Sequence, residues 1–284
     1  MSAMTRITWI EATHGDERYR ALWQFLERQV RALVAGRAEV ALTHVGVDAG
    51  GIRTPANRMM SDAAVLATAL EVDARGDADA VMIGCWGAPT EVVRAGLSRP
   101  VSSLPDGSVR AVGSLARRAV LVTVSPALVP IFEDDLVRLG ATGFLAERPV
   151  RAYDPESTLD DVVAAIDDPR DLVARFDAVA RRAVSDGADA IIVGCGYLAP
   201  LFTWHGYTHV PGHPDVPVLD CNRLAVEHLF GLVALDAAGV SATGRGYPRP
   251  RGARAAALSA SAARLRAPGA APDLTTIVTE GTHV

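Results

Sequence analysis

One eight-residue pattern occurs twice in this chain of 284 residues. Residues 78–85 read ADAVMIGC and residues 188–195 read ADAIIVGC, and Ala-Pro follows each copy within five residues, at Ala88-Pro89 and at Ala199-Pro200. A short apolar run that ends in a turn is typical of a buried strand, and its recurrence indicates two similar units. The repeat therefore predicts two related lobes, each of which delivers a cysteine at the carboxyl end of a strand.

Short apolar runs alternate with longer stretches of helical period along the chain. Residues 7–10 and 39–45 are predicted strands, whereas residues 21–34 and 61–74 place their apolar side chains at helical spacing. Such alternation predicts parallel sheets covered by helices on both faces. We therefore expect an α/β fold with two pseudo-symmetric lobes, each a parallel sheet flanked by helices, and an active site in the cleft between them.

The lobes are expected to be discontinuous in sequence. Residues 1–104 form the predicted first lobe and residues 105–214 the second, while the strand-and-helix pattern of residues 215–239 is expected to return to the first lobe. Residues 240–284 are rich in Ala, Arg and Pro. That composition predicts a tail that is flexible or folds only against a neighbouring subunit. Within it, residues 275–278 (TTIV) are a predicted short strand.

Composition narrows the chemistry that this chain can perform. The sequence contains no lysine, so neither a Schiff base with pyridoxal phosphate nor a Walker-type phosphate site can form. The net charge of −5 gives no electrostatic case for binding nucleic acid. Three dispersed cysteines without paired metal-ligand spacing indicate a reducing compartment. Because neither a signal peptide nor a bilayer-length apolar run is found, we expect a cytoplasmic protein that does not contact membranes.

The paired cysteines point to proton transfer. Cys85 and Cys195 are each predicted at a strand-to-helix turn, where backbone N–H groups favour a thiolate. A thiolate can remove a proton from a carbon next to a carbonyl while a thiol delivers one to the opposite face. The same N–H groups can hold the enolate oxygen. We therefore expect a racemase or epimerase that needs no cofactor and no metal. Cys221 has no counterpart and is interpreted as a buried packing residue.

These motifs resemble the aspartate/glutamate racemase superfamily, and within it the hydantoin racemase branch. Residues 84–89 (GCWGAP) are similar to the GCFGDP motif of that branch, residues 194–196 to its second cysteine motif, and residues 216–220 to its closing VPV-[IL]-D segment. The resemblance implies that Cys85 and Cys195 are the acid/base pair and that the substrate is hydantoin-like or amino-acid-like. This chain departs from the pattern at residues 11–14, which read EATH where the branch has NPNT, and at Ala88, which replaces an Asp.

Further candidates for substrate binding lie at the predicted carboxyl edges of the strands. They are Thr13 and His14 after the first strand, Trp86 and Gly87 after Cys85, Thr123 and Ser125 in the second lobe, and Gly196 and Tyr197 after Cys195. Hydroxyl groups can bind a carboxylate or an amide, and glycines let a backbone approach a ligand closely.

The segment after the second cysteine is long and aromatic. Residues 197–215 (YLAPLFTWHGYTHVPGHPD) are predicted to form a loop near the cleft. Its Phe202, Trp204 and Tyr207 either form a lid that excludes water or belong to an ordinary surface loop. Its histidines, His205, His209 and His213, recur every four residues. The glycines and the proline between them argue against a shared helix face and therefore against a metal site.

Other functions stay open at this point. An enzyme of the same fold that resembles maleate isomerase or arylmalonate decarboxylase is one alternative, although the decarboxylase pattern keeps only one catalytic cysteine. A small-molecule binding protein without catalysis is another. In each case the partner is a small molecule, and the tail suggests a homo-oligomer.

Overall fold

The computed structural model describes residues 4–265, apart from the side chain of Thr142. The first half contains strands β1 (Thr5–His14), β2 (Ala38–Val45), β3 (Ala80–Ile83) and β4 (Val101–Ser103) and helices α1 (Arg20–Val34), α2 (Pro55–Arg75), α3 (Thr90–Gly96) and α4 (Leu104–Val112). The next part contains β5 (Ala119–Thr123), α5 (Val129–Arg138), β6 (Leu145–Ala152), α6 (Leu159–Asp167), α7 (Arg170–Ser185), β7 (Ala190–Val193) and α8 (Leu198–Trp204). The chain continues through β8 (His209–Val210), β9 (His213–Leu219), α9 (Cys221–Ala237) and α10 (Ala253–Leu265).

The strands form two sheets. The first has the order β2-β1-β3-β4 and is parallel throughout, and the second has the order β6-β5-β7-β9-β8 and is parallel except for its final pair. The two cysteine-bearing strands, β3 and β7, occupy inner positions, and all four residues of each are buried. Their uninterrupted apolar sequences are what a parallel strand covered on both faces requires. The predicted α/β class, with helix-flanked parallel sheets, is confirmed.

A continuous core joins the two halves. The larger cluster of buried side chains includes Trp9 and Phe25 from the first half together with Leu121 and Phe176 from the second. A smaller cluster lies between the first sheet and α2. Because the larger cluster is shared, the carboxyl edges of both sheets are held at a fixed separation.

The assignment of residues 215–239 to the first lobe is wrong for its strand. In β9, Val218 pairs with Ile191 of β7, so this strand belongs to the second sheet. Helix α9 does pack against α4 and β4 of the first sheet. Its Ala225 lies directly against Gly107 of α4, so closely that a side chain at Gly107 would collide with it. An apolar run identifies a strand, but the choice of partner depends on distant residues.

Residues 197–215 do not form the predicted loop, because they contain α8, β8 and the start of β9. Leu198–Trp204 is helix α8, which ends before Gly206 (φ +77°). Phe202 and Tyr207 are buried and pack on Phe176, with ring centroids 4.9 and 5.9 Å apart, whereas Trp204 is 63% exposed. The predicted lid is therefore wrong, because two of its three aromatic rings belong to the core.

Part of the tail is ordered on this same chain. Helix α10 packs against α2, and the preceding Tyr247 lies over the guanidinium of Arg94, 5.4 Å from ring centroid to Cζ. This contradicts the predicted flexible tail for residues 253–265, whereas residues 275–278 lie outside the described residues. Over the span 4–265, no helix is both long and apolar enough to cross a bilayer.

Candidate active site

The two Gly-Cys turns meet across the boundary between the sheets. Cys85 follows β3, Cys195 follows β7, and both side chains are half-buried free thiols. A Cβ placed on Gly196 would lie 2.7 Å from the carbonyl oxygen of Gly84 and 2.9 Å from Cδ1 of Leu104. Only glycine permits this approach, which brings together the two cysteines that the repeat singled out.

The Cys85 thiol lies in acidic surroundings. Its pKa is raised to about 12, mainly by burial and also by the negative charges of Glu11, Cys195 and Asp62, while the N–H of Gly87 opposes that change. Removing water and adding like charges both disfavour a thiolate.

The Cys195 thiol has more groups that favour its ionised form. Burial and Glu11 raise its pKa, whereas the N–H groups of Leu198 and Tyr197 and the positive charge of Arg53 lower it. Hydrogen bonds from successive backbone N–H groups stabilise an anion at such a turn.

Glu11 lies between the two turns and was not predicted as a site residue. The indole of Trp9 donates to its Oε1 at 2.5 Å, and the hydroxyl of Tyr197 donates to its Oε2 at 3.0 Å. The Tyr197 hydroxyl also lies 2.7 Å from Oγ1 of Thr13. Glu11 is fully buried, and burial raises its pKa to about 7. The available signal was an acid directly after the apolar Trp9-Ile10 pair of β1, but the sequence marked it only as a departure from NPNT.

The loop of residues 46–54, named the strap here, crosses from the first sheet to the second. A Cβ on Gly87 would lie 2.5 Å from Cδ1 of Ile52, so the strap covers the Cys85 turn. At its far end the guanidinium of Arg53 donates to Glu156 and to the carbonyl oxygen of Ser157, each at 3.0 Å. Nothing in the sequence distinguished this loop, because its partners lie about a hundred positions away.

Residues 21–229 match the family model described as Asp/Glu/Hydantoin racemase. This chain belongs to that family. A hydantoin racemase from Rhizobium meliloti is 29% identical over 202 residues, which are 70% of this chain and 78% of the relative. The predicted resemblance to the superfamily and to its hydantoin racemase branch is confirmed, and the chain is an isomerase of the racemase type.

Two solved structures share the fold of this racemase family member. An allantoin racemase from Pseudomonas fluorescens superposes with a TM-score of 0.72 at 23% identity, covering 87% of this chain and 98% of its own. An allantoin racemase from Klebsiella pneumoniae superposes with a TM-score of 0.71 at 20% identity, covering 87% of this chain and 94% of its own. At these identities the likeness shows the two-lobed fold.

The remaining predicted substrate-binding residues differ in their burial and in their hydrogen bonds. Trp86 is buried 6.2 Å from Phe132 between ring centroids, and Thr123 is buried at the end of β5. Trp86 Nε1 and Thr123 Oγ1 have no hydrogen-bond partner among the described residues. Ser125 accepts from the N–H of Ala127 and so caps a short 3-10 turn. His14 is half-buried at the end of β1.

The three histidines of residues 205–213 lie on different elements: His205 follows α8, His209 begins β8 and His213 begins β9. His205 Nε2 is 3.0 Å from the carbonyl oxygen of Ile166, and His209 is exposed on β8. Within residues 4–265, no group of three or more His, Cys, Asp or Glu side chains is arranged to hold a metal ion.

Proposed function

We propose that this racemase inverts the stereocentre of a small hydantoin-like cyclic amide, with Cys85 and Cys195 as the acid/base pair. The observation that carries the proposal is the contact between the two Gly-Cys turns, which brings one thiol from each lobe close enough for the charge of Cys195 to act on Cys85. Two acid/base groups on opposite sides of one carbon are what inversion without a cofactor requires.

The proposed step is a proton relay through a planar intermediate. The thiolate of one cysteine takes the proton from the ring carbon next to the carbonyl, and the electron pair of the C–H bond moves onto the carbonyl oxygen. The thiol of the other cysteine then protonates the opposite face, so the two cysteines exchange protonation states in each turnover. Backbone N–H groups at the turns, from Gly87, Tyr197 and Leu198, are the donors available for an anion.

Two buried polar atoms support a ligand that carries both hydrogen-bond donors and acceptors. Trp86 Nε1 is a donor and Thr123 Oγ1 is both donor and acceptor, and each lacks a partner among the described residues. A buried polar atom without a partner is costly, so such atoms favour a bound group that completes them. A cyclic amide offers carbonyl oxygens and N–H groups for this purpose.

The charges near the cysteines favour a neutral ring over a free amino acid. The α-carboxylate of an amino acid needs a cationic partner, and the guanidinium of Arg53 is already held by Glu156 and Ser157. Glu11 would repel a second carboxylate when it is ionised. The hydantoin racemase and the two allantoin racemases among the similar proteins agree with this choice.

The decisive experiment is hydrogen exchange followed by NMR in heavy water. Single enantiomers of 5-substituted hydantoins, allantoin and free amino acids, and separately an arylmalonate and maleate, are incubated with the wild-type protein and with Cys85→Ser and Cys195→Ser. We expect deuterium at the ring stereocentre of hydantoins, and a loss of racemisation of about 10²–10⁴-fold in either variant. Each variant should retain exchange on one enantiomer only, because one base remains.

Cys221→Ser is the comparison variant, because Cys221 is buried beside the Cys195 turn but belongs to neither turn. It should retain more racemisation than either turn variant. Racemisation at the wild-type rate in both turn variants, or exchange on both enantiomers in each of them, would refute the two-cysteine assignment. Turnover of maleate or the arylmalonate instead would select one of the other activities, and binding without exchange would favour a non-catalytic protein.

A further inference from the structure

One carboxyl group contacts both cysteine turns. On the side of the first lobe, Glu11 Oε1 packs against Gly84, the residue before Cys85, so closely that a side chain at position 84 would overlap it. On the side of the second lobe, Glu11 Oε2 accepts from Tyr197, which stands two residues after Cys195. A change in the protonation of this carboxyl therefore affects the ionisation of both thiols.

The hydrogen bonds that the structure gives to this carboxyl come from neutral donors, the indole of Trp9 and the phenol of Tyr197. Tyr197 is held in turn by Thr13 and by the ring of Trp23, whose centroid lies 5.7 Å away. Burial raises the pKa of Glu11 to about 7, and the hydrogen bonds from Trp9 and Tyr197 oppose that rise because they favour the charged carboxylate.

We infer that Glu11 is a positioning residue that couples the two turns, and that its neutral form allows the thiols to ionise whereas its charged form suppresses both. The inference rests on the proposed function for its role in turnover, but its effect on the thiols is independent of any substrate. When Glu11 releases its proton to solvent, the carboxylate disfavours a thiolate in either turn.

Other titratable and charged groups face this set from the surrounding elements. They are Asp62 toward Cys85, Arg53 and Tyr153 toward Cys195, Tyr197 toward Glu11, and His44, whose backbone pairs in register with Glu11. Among them, Glu11 is the group that acts on both thiols and has a pKa near neutrality.

The test is alkylation by iodoacetamide between pH 5.5 and 9, with the modification of Cys85 and Cys195 followed separately by peptide mass spectrometry. Thiolate formation alone raises the rate about tenfold per pH unit below the thiol pKa. In the wild type we expect that rise to flatten above about pH 7 at both cysteines. In Glu11→Gln the rise should continue, so that the variant reacts about tenfold faster at pH 8.5.

Glu39→Gln is the matched control, because Glu39 is an exposed glutamate on the neighbouring strand, in register with Arg6 at the far end of the sheet. Its alkylation rate should flatten above about pH 7, as in the wild type. Tyr197→Phe removes a donor that favours the charged carboxyl, so the alkylation rate of this variant should flatten at a higher pH. This second variant also carries the test if Glu11→Gln fails to fold.

The inference would be overturned if the alkylation rates flatten at the same pH in the wild type, Glu11→Gln and Tyr197→Phe. In the racemisation assay, Glu11→Gln should change the pH profile of kcat and leave KM near its wild-type value. Failure of the proposed function has a different signature: the alkylation profiles follow the expected pattern while no hydantoin exchanges its ring proton.

Discussion

The two cysteine turns share a backbone plan but differ in the charges that surround them. Glu11 disfavours a thiolate in both turns, but the Cys85 turn offers one N–H group and also faces the acid Asp62, whereas the Cys195 turn offers two N–H groups and faces Arg53. The repeated sequence produces the likeness, and segments that are not repeated produce the difference. Helix α2 supplies Asp62, and the strap supplies Arg53. Cys195 is consequently the thiol with more support for its ionised form.

We expect the largest effects from adding a methyl group to the glycine before Cys85 and to the glycine after Cys195. Gly84→Ala would drive a side chain into Trp9 and Glu11 of its own sheet, and we expect it to lower the free energy of unfolding by more than about 3 kcal/mol. Gly196→Ala would press on Gly84 of the other lobe, so we expect a smaller loss of stability and a larger loss of racemisation. Thermal unfolding and hydantoin racemisation measure the two effects.

Gly231→Ala provides the control for both variants. Gly231 lies within α9, and a Cβ there would meet nothing within 4 Å. Alanine in an exposed helix should stabilise the protein by about 0.5–1 kcal/mol. If Gly84→Ala unfolds no earlier than Gly231→Ala, the close packing between Gly84 and Glu11 is refuted.

The next effect concerns Glu11 of the first lobe and the pH dependence of the free energy of unfolding. Between pH 4.5 and about 7, an unfolded Glu11 is ionised while the folded one still holds its proton. The folded state then binds more protons, so the free energy of unfolding falls as pH rises through this window and levels off above pH 7. The expected loss from Glu11 is on the order of 3 kcal/mol. Glu11→Gln should remove that part of the decline in denaturant titrations at pH 4.5, 6 and 8 and leave the part that comes from Asp62, whose pKa burial raises to about 6.

Thr123 ends the equivalent strand of the second lobe and carries no charge. Thr123→Val removes a buried hydroxyl that has no partner among the described residues, so it should leave stability nearly unchanged at every pH. A pH dependence equal in Glu11→Gln and the wild type would show that another acid causes the decline.

The smallest effect should separate the two thiols. Arg53→Gln removes a charge that lowers the pKa of Cys195, so the alkylation profile of Cys195 should move to higher pH while that of Cys85 stays in place. We expect a shift below about one pH unit, because the Arg53 side chain is 37% exposed and its charge is screened by solvent.

Arg18→Gln is the matched control, since Arg18 also links the two lobes, through an ion pair with Asp160 at 2.5 Å. It should move neither profile. An equal shift of both cysteines in Arg53→Gln would mean that the strap acts by closing the cleft rather than by its charge.

The sequence was informative wherever a property is local. The buried strands before Cys85 and Cys195 follow from short apolar runs, and the meeting of the two turns follows from their repetition. The sheet that β9 joins could not be predicted, because strand pairing is decided by distant residues. Glu11 was missed for the same reason. Its burial depends on Tyr197, which lies 186 residues away and reaches it only once both lobes have formed.

The distribution of the aromatic residues gives this fold a built-in optical probe. The indole of Trp9 donates to Glu11, Trp86 follows Cys85 directly, and Trp23 packs on Tyr197, whereas Trp204 faces solvent. Intrinsic fluorescence excited at the indole band therefore originates largely within the cleft. Protonation of the carboxyl, or entry of a ligand, should alter the emission colour and lifetime of those indoles without any dye, and Trp204→Phe would remove the solvent-facing background.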